Sequence, residues 1–255
     1  MAMDEALLES SSNGDSPPTL RLYAWSPPCL SMGSAQPSSQ IDLHLLQDLG
    51  WDIVRRPSGG RAILHTDELT YSVTAPLDHP HVAGGVLESY KKFSQGLVQA
   101  LTLLGVKIEI QPEVKLTHSE REQPICFEIP SSYEITAGGK KLIGSAQLRR
   151  AGAVLQHGSL PLSGDIARIC QGLSFPDNAL RQAAAERLRI RATTIEQLLN
   201  QPVTWDEAVH AVTAGFQSAL GITLDQQTPS KGEMQRTETL IKEKYEHDAW
   251  TYRLS

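Results

Sequence analysis

Hydrophobic positions along the chain alternate between two periods, and the changes of period outline its elements. Residues 87–105 carry Leu87, Tyr90, Leu97, Leu101 and Leu104 at helical spacing and stop at Gly105, which predicts an amphipathic helix. Residues 39–49 repeat the pattern more briefly, with Ile41, Leu45 and Leu49 ahead of Gly50. Residues 1–8 have helical composition, and the breaker-rich run SSSNGDSPP at 10–18 predicts a loop. Short runs at 20–25, 51–56, 61–64, 69–74 and 106–110 predict strands. Three more are predicted at 125–129, 133–136 and 141–147, separated by the turns Pro130-Ser131-Ser132 and Ala137-Gly138-Gly139, and another at 154–160.

After Gly164 the helical period takes over. Helices are predicted at 165–172, 178–189, 194–199, 204–220 and 233–245, with Thr194 and Thr204 placed as caps, and a short strand at 222–224. The sum is an α/β (α+β) architecture, a mixed, mainly antiparallel sheet flanked by helices. No linker stands out, so residues 1–255 read as a single domain with a helix-rich part at 165–255.

A chain of 255 residues can bury a core without a disulfide or metal staple. Its formal charge of −6 weighs against nucleic acid as the main partner. No apolar run approaches a membrane span, and residues 1–10 lack the basic start of a signal peptide, so neither a membrane nor export is expected. Cys29, Cys126 and Cys170 form no CxxC pair and read as reduced thiols in the cytoplasm. His79-Pro80-His81 has no third ligand at metal spacing, so no metal is expected.

Three places invite chemistry. The segment Arg55-Arg56-Pro57-Ser58-Gly59-Gly60-Arg61 through His65 pairs close backbone approach with guanidinium forks suited to carboxylate or phosphate. By itself it is equally a glycine turn with solvated arginines, and that is the simpler account. Lys141 sits beside the small residues Gly144, Ser145 and Ala146, where an acyl chain could lie; an edge-strand lysine after a hairpin turn explains it as well. Cys126 could attack as a thiolate if a cation lay beside it, and a meander would place Lys141 there, although a cytosolic cysteine is more often a small buried hydrophobe. His65 and His157 fall at strand ends, where a structural role is the commoner outcome.

Taken together, the segments YAWSPPCLSMGSAQ (23–36), RRPSGGRAILH (55–65), GKKLIGSAQ (139–147) and LQHGS (155–159), in that order after MAMDEALL (1–8), resemble the biotin/lipoate A/B protein ligase family, in its octanoyltransferase branch. The likeness runs over nearly the whole chain; Lys140 stands where an arginine is more usual. The resemblance implies a class II synthetase/biotin-ligase-like sheet. It also implies that Cys126 is the acyl-accepting cysteine and Lys141 the lysine that lowers its pKa. Arg56, Gly59, Gly60, His65, Gly144, Ser145, Ala146 and His157 would then line the acyl tunnel or the carrier-docking mouth.

The activity so implied is ping-pong transfer of octanoyl from octanoyl-acyl carrier protein through a Cys126 thioester to a lysine of a lipoyl domain, such as the glycine-cleavage H protein. No cofactor is needed for that route. Arg55, Arg56, Lys140, Arg149 and Arg150 are the expected steering charges for acidic partners. Two rivals remain: an ATP- and Mg-dependent lipoate-protein ligase using Lys141 on the phosphate or acyl carbonyl, and a non-catalytic carrier-binding protein.

Overall fold

The computed structural model describes residues 1–110 and 135–254. Among these, the strands are β1 (Thr19–Tyr23), β2 (Cys29–Met32), β3 (Asp52–Arg55), β4 (Ile63–His65), β5 (Glu68–Pro76), β6 (Glu109–Ile110), β7 (Ile135–Ala137), β8 (Lys140–Arg150) and β9 (Ala153–Pro161). The helices are α1 (Ala2–Asn13), α2 (Leu43–Asp48), α3 (Val86–Leu103), α4 (Asn178–Arg191), α5 (Ile195–Leu199), α6 (Trp205–Leu220), α7 (Lys231–Leu240) and α8 (Asp248–Thr251). Two 3-10 segments, Ser38–Gln40 and Ile166–Gly172, and a π turn, Ile241–Tyr245, complete the description.

Six strands form one wholly antiparallel sheet in the order β1-β5-β9-β8-β7-β6. Three form a smaller sheet, β3-β2-β4, in which β2 runs parallel to β3 and antiparallel to β4. The main core lies where α3 and α6 cover the large sheet, with Tyr71, Phe93, Leu97, Leu101, Leu142 and Phe216 inside. A second cluster joins the small sheet to the 3-10 segment Ile166–Gly172 and to α4. The period of β9 sorts its side chains: Val154 and Leu160 enter the main core, while Ala153 and Leu155 meet Leu8 of α1.

The mixed, mainly antiparallel sheet flanked by helices is the class expected from the sequence. Local details differ. The loop expected at 10–18 begins later, because α1 continues through Ser10–Ser12: Leu7, Leu8 and Ser11 are buried, and Gly14 closes the helix in the left-handed conformation. The helix expected at 39–49 splits into a 3-10 turn and α2, which Asp42 caps by accepting from the Leu45 amide. In α3 the buried stripe is Phe93, Leu97, Ala100 and Leu101, and Leu87 stays exposed. No strand forms at 222–224; the Leu224 amide instead donates to Gln217 of α6. The strand expected at 125–129 lies outside the described residues, whereas β7 and β8 do form a hairpin around Gly138-Gly139.

The C-terminal segment folds back on the start of the chain's glycine-rich region. Trp250 Nε1 donates to the Arg55 carbonyl at 2.9 Å, and Arg55 Nε donates to the Thr251 carbonyl at 2.8 Å. The Leu254 carbonyl accepts from both the amide and the hydroxyl of Ser38.

Candidate active site

Where the two sheets meet they leave a narrow crevice. The small sheet and its loop supply Arg56, Ile63 and His65; the large sheet supplies Thr70 of β5, Gly144, Ser145 and Ala146 of β8, and His157 and Gly158 of β9, with Met1 beside them. Six of the sequence-derived candidates therefore share one wall system: Arg56, His65, Gly144, Ser145, Ala146 and His157. A second recess lies beyond Ile63, lined by Asp67, Glu68, Asp165 and Arg168, and holds none of the candidates.

Each polar wall residue is fixed by partners behind it. His65 Nε2 lies 2.7 Å from Ser31 Oγ, and Nδ1 lies 2.5 Å from Glu68 Oε1. Arg56 Nη1 donates to Ser31 Oγ at 2.8 Å, and a proton on His65 Nδ1 suits the carboxylate oxygen that faces it. Glu68 also accepts from Thr70 and Ser159. Trp25 stacks on the His65 ring at 4.5 Å between centroids. Both ring nitrogens of His65 are thus engaged within the protein, and it meets the crevice with carbon edges.

His157 repeats the arrangement from the opposite wall. Its Nε2 lies 2.5 Å from Ser58 Oγ, and its Nδ1 faces Asp4 Oδ2 at 3.6 Å, beyond hydrogen-bond reach. Burial lowers the His157 pKa against the pull of Asp4 and keeps the ring neutral at pH 7. Asp4, with no exposed surface, accepts from Arg21, Tyr23 and Ser72. Burial would raise its pKa, but the Met1 ammonium and the Arg21 cation outweigh this and hold the carboxyl well below the usual carboxylate range.

Both shifts have the same sign for stability. A depressed carboxylate contributes stability above its unfolded pKa of about 3.9 and loses it as pH falls below that; a depressed histidine begins to cost stability below about 6.5. Thermal unfolding is therefore expected at progressively lower temperature from pH 7 to pH 3. Asp4→Asn should cost about 3 kcal/mol at pH 7, the low end for breaking a buried pair because Arg21 keeps solvent contact. Calorimetry of that variant should also show a flatter fall below pH 4.

Ser145 is oriented from behind as well. Gln156 donates to the Tyr71 hydroxyl oxygen, and the Tyr71 and Ser145 hydroxyls share a hydrogen bond at 2.7 Å in which either can donate. Gly158 is required for this closeness: a Cβ there would lie 2.6 Å from the Gly144 carbonyl oxygen and from the Tyr71 ring.

Gly59 and Gly60 do not line the crevice. The Gly59 carbonyl accepts from Arg56 Nη2 at 3.1 Å, and the Gly60 backbone, at φ +93°, packs against Gly33. They shape the loop that aims Arg56, whose guanidinium also donates to the Ser31 and Arg61 carbonyls. Lys141 is buried three residues along β8 from Gly144; it pairs with Thr136 and bridges Ala192, and its carbonyl accepts from the Thr193 amide. Cys126 lies outside the described residues.

The expected steering charges need correction. Arg55 and Arg56 are buried, spent on carbonyls of the surrounding loops. Arg149 donates to the carbonyls of Val82, Gly84 and Gly85, and Arg150 pairs with Glu5. The sequence reading missed Glu68 and Thr70, and gave no separate role to Asp4, Ser31, Ser58 or Ile63 within the segments it singled out. Gly158 carried a usable signal, a glycine in mid-strand.

The lipoyl protein ligase A/B catalytic domain matches residues 1–217 of the chain. The chain belongs to this family. Among curated relatives, octanoyltransferase LipM of Brevibacillus brevis is 38% identical over 99% of this chain and 94% of its own length, and that of Symbiobacterium thermophilum is 38% identical over 99% and 93%. Among solved structures, lipoate-protein ligase A bound with ATP is 25% identical with a TM-score of 0.79, over 100% of this chain and 93% of its own. A bi-partite lipoate protein ligase from Thermoplasma acidophilum superposes with a TM-score of 0.82 at 24% identity, over 100% and 91%, which supports the shared fold of this ligase A/B domain. No helix among the described residues is long and apolar enough to cross a membrane, and no cluster of three or more His, Cys, Asp or Glu side chains there is placed to hold a metal ion.

Proposed function

We infer that this protein is an octanoyltransferase of lipoate biosynthesis. It takes octanoyl from an acyl-carrier thioester onto Cys126 and passes it to a lysine of a lipoyl domain, such as that of the glycine-cleavage H protein. The likeness to octanoyltransferases over 99% of the chain carries this reading. The crevice supports it: Ile63, Gly144, Ala146 and Gly158 offer an apolar path.

In the first step the Cys126 thiolate adds to the thioester carbonyl, and the carrier thiolate departs and takes up a proton. In the second, the neutral lysine amine adds to the enzyme thioester, an amide forms, Cys126 leaves as thiolate, and the nitrogen sheds a proton. Lys141 supplies the cation that favours the thiolate, and Ser145 a proton donor for the developing oxyanion. The thioester brings its own activation, so ATP is not consumed. Residues 1–255 act as one catalytic unit in a reducing cytoplasm; the free thiols of Cys29 and Cys170 and the contacts of both chain ends with the site region support this.

The test is intact-mass analysis after incubation with octanoyl-acyl carrier protein and no ATP. The protein should gain one octanoyl group and lose it when a lipoyl domain is added. Activity that appears only with ATP and free octanoate, without a covalent adduct, would replace this reading with the ligase one.

A further inference from the structure

We propose that a hydrogen-bond chain from Arg149 through Gln147, Gln156 and Tyr71 to Ser145 runs in one direction, and that Gln147, Gln156 and Tyr71 are positioning residues that leave the Ser145 proton to the crevice. The proposal rests on the octanoyltransferase reading for the oxyanion this proton would meet, and on the chain itself for its direction.

Strand register builds the chain. Tyr71 of β5 and Ser145 of β8 both pair with Gly158 of β9, the strand between them. Strands two apart lie about 10 Å from each other, too far for most side chains to meet. Gly158 removes the obstacle: a Cβ there would lie 2.6 Å from the Tyr71 ring and 2.7 Å from Ser145 Oγ. The phenol therefore reaches across the middle strand to the serine, 2.7 Å away. Two residues along, Gln147 stands opposite Gln156 in the register, and its Nε2 donates to Gln156 Oε1 at 2.9 Å. Ser145, Gln147 and Arg149 alternate along β8 and so share one face of it.

Arg149 gives the chain its polarity, because a guanidinium has donors and no acceptor. Its Nε donates to Gln147 Oε1 at 3.2 Å, so Gln147 turns its NH2 towards Gln156. Gln156 accepts with its oxygen and presents its own NH2 to the Tyr71 oxygen at 3.1 Å. Tyr71 and Gln156 are buried, and burial pushes the phenol pKa up, so Tyr71 keeps its proton at pH 7. Among the described residues, Ser145 Oγ is the acceptor in reach of that proton. The reverse arrangement, with Ser145 donating, strands a buried hydroxyl hydrogen and is the costlier one. Ser145 thus accepts from Tyr71 and keeps its own hydrogen for the crevice it lines. The far end is held as firmly: Arg149 also donates to Ser89 Oγ and to the carbonyls of Val82, Gly84 and Gly85.

The experiment compares wild type with Gln147→Glu, Gln147→Leu, Tyr71→Phe, Ser145→Ala and the double variant Tyr71→Phe/Ser145→Ala. Transfer from octanoyl-acyl carrier protein to a lipoyl domain is measured at steady state, with thermal unfolding alongside. Glutamate keeps the shape of Gln147 and its bond from Arg149 but cannot donate. Gln156 must then turn its NH2 to position 147 and its oxygen to Tyr71, and the phenol takes the Ser145 proton. Leucine breaks the chain without reversing it. Gln147→Glu should lower kcat about 10²-fold, as Ser145→Ala does, with KM within about twofold, and Gln147→Leu should lower it by about tenfold or less. Tyr71→Phe should lower kcat about tenfold by itself and no further in the Ser145→Ala background. A merely structural role would reverse the order at position 147, since glutamate is the closer match in shape. Gln147→Glu as active as Gln147→Leu, or additive losses from Tyr71→Phe and Ser145→Ala in folded protein, would overturn the direction alone. A wild type that never becomes octanoylated would refute the octanoyltransferase reading and the proposal with it.

Discussion

Replacing Cys126 with alanine is expected to leave no octanoyl adduct and to lower transfer by about 10³-fold or more, the scale on which enzymes lose activity with their nucleophile. The prediction is sharp because no other described thiol can stand in. Cys29 is buried in β2, and burial pushes its thiol up to about 12, so almost none of it is thiolate at pH 7. Cys170 is buried in the second core cluster between the small sheet and α4. Intact-mass spectra of Cys126→Ala should therefore show only the unmodified chain, while Cys29→Ala and Cys170→Ala keep the adduct. An octanoyl group surviving on Cys126→Ala would place the nucleophile elsewhere.

Lys141→Met is expected to reduce transfer about 10²- to 10⁴-fold, the range by which a positioned acid, base or charge commonly contributes. Backbone contacts on both sides hold this position in place whatever its side chain: pairing with Thr136, the bridge to Ala192, and the Thr193 amide on its carbonyl. Methionine fills a similar volume in the same strand, so the loss reports the ammonium group. Removing a cation beside a thiol raises the pH at which the thiol ionises. The pH profile of Cys126 alkylation by iodoacetamide should accordingly move to higher pH in Lys141→Met and stay near wild type in Lys141→Arg. An unshifted profile would separate Lys141 from thiol activation.

What the sequence disclosed about this site follows from range. The Arg56–His65 segment and the Gly144–Ala146 stretch are contiguous runs whose composition alone restricts backbone and surface, and both do meet at the crevice. Asp4 and Glu68 left no such trace, because each owes its role to a histidine or hydroxyl brought to it by the fold. Strand β2 was hidden for a different reason: Cys29, Leu30, Ser31 and Met32 are all buried, so the alternation that betrays a half-exposed strand is absent. The arginines misled because charged groups beside glycines read as solvated, whereas Arg55 serves as an internal donor to the carbonyls of Gly33, Gln36 and Thr251.

The two imidazoles join elements from different layers. His65 belongs to the small sheet and grips Glu68 of the large one; His157 belongs to the large sheet and grips Ser58 of the loop leaving β3. Directional bonds fasten the crevice on two sides, so its walls cannot slide apart as a greasy seam would. A seam stapled in this way keeps its two walls in register, so the groups that line it stay at one spacing.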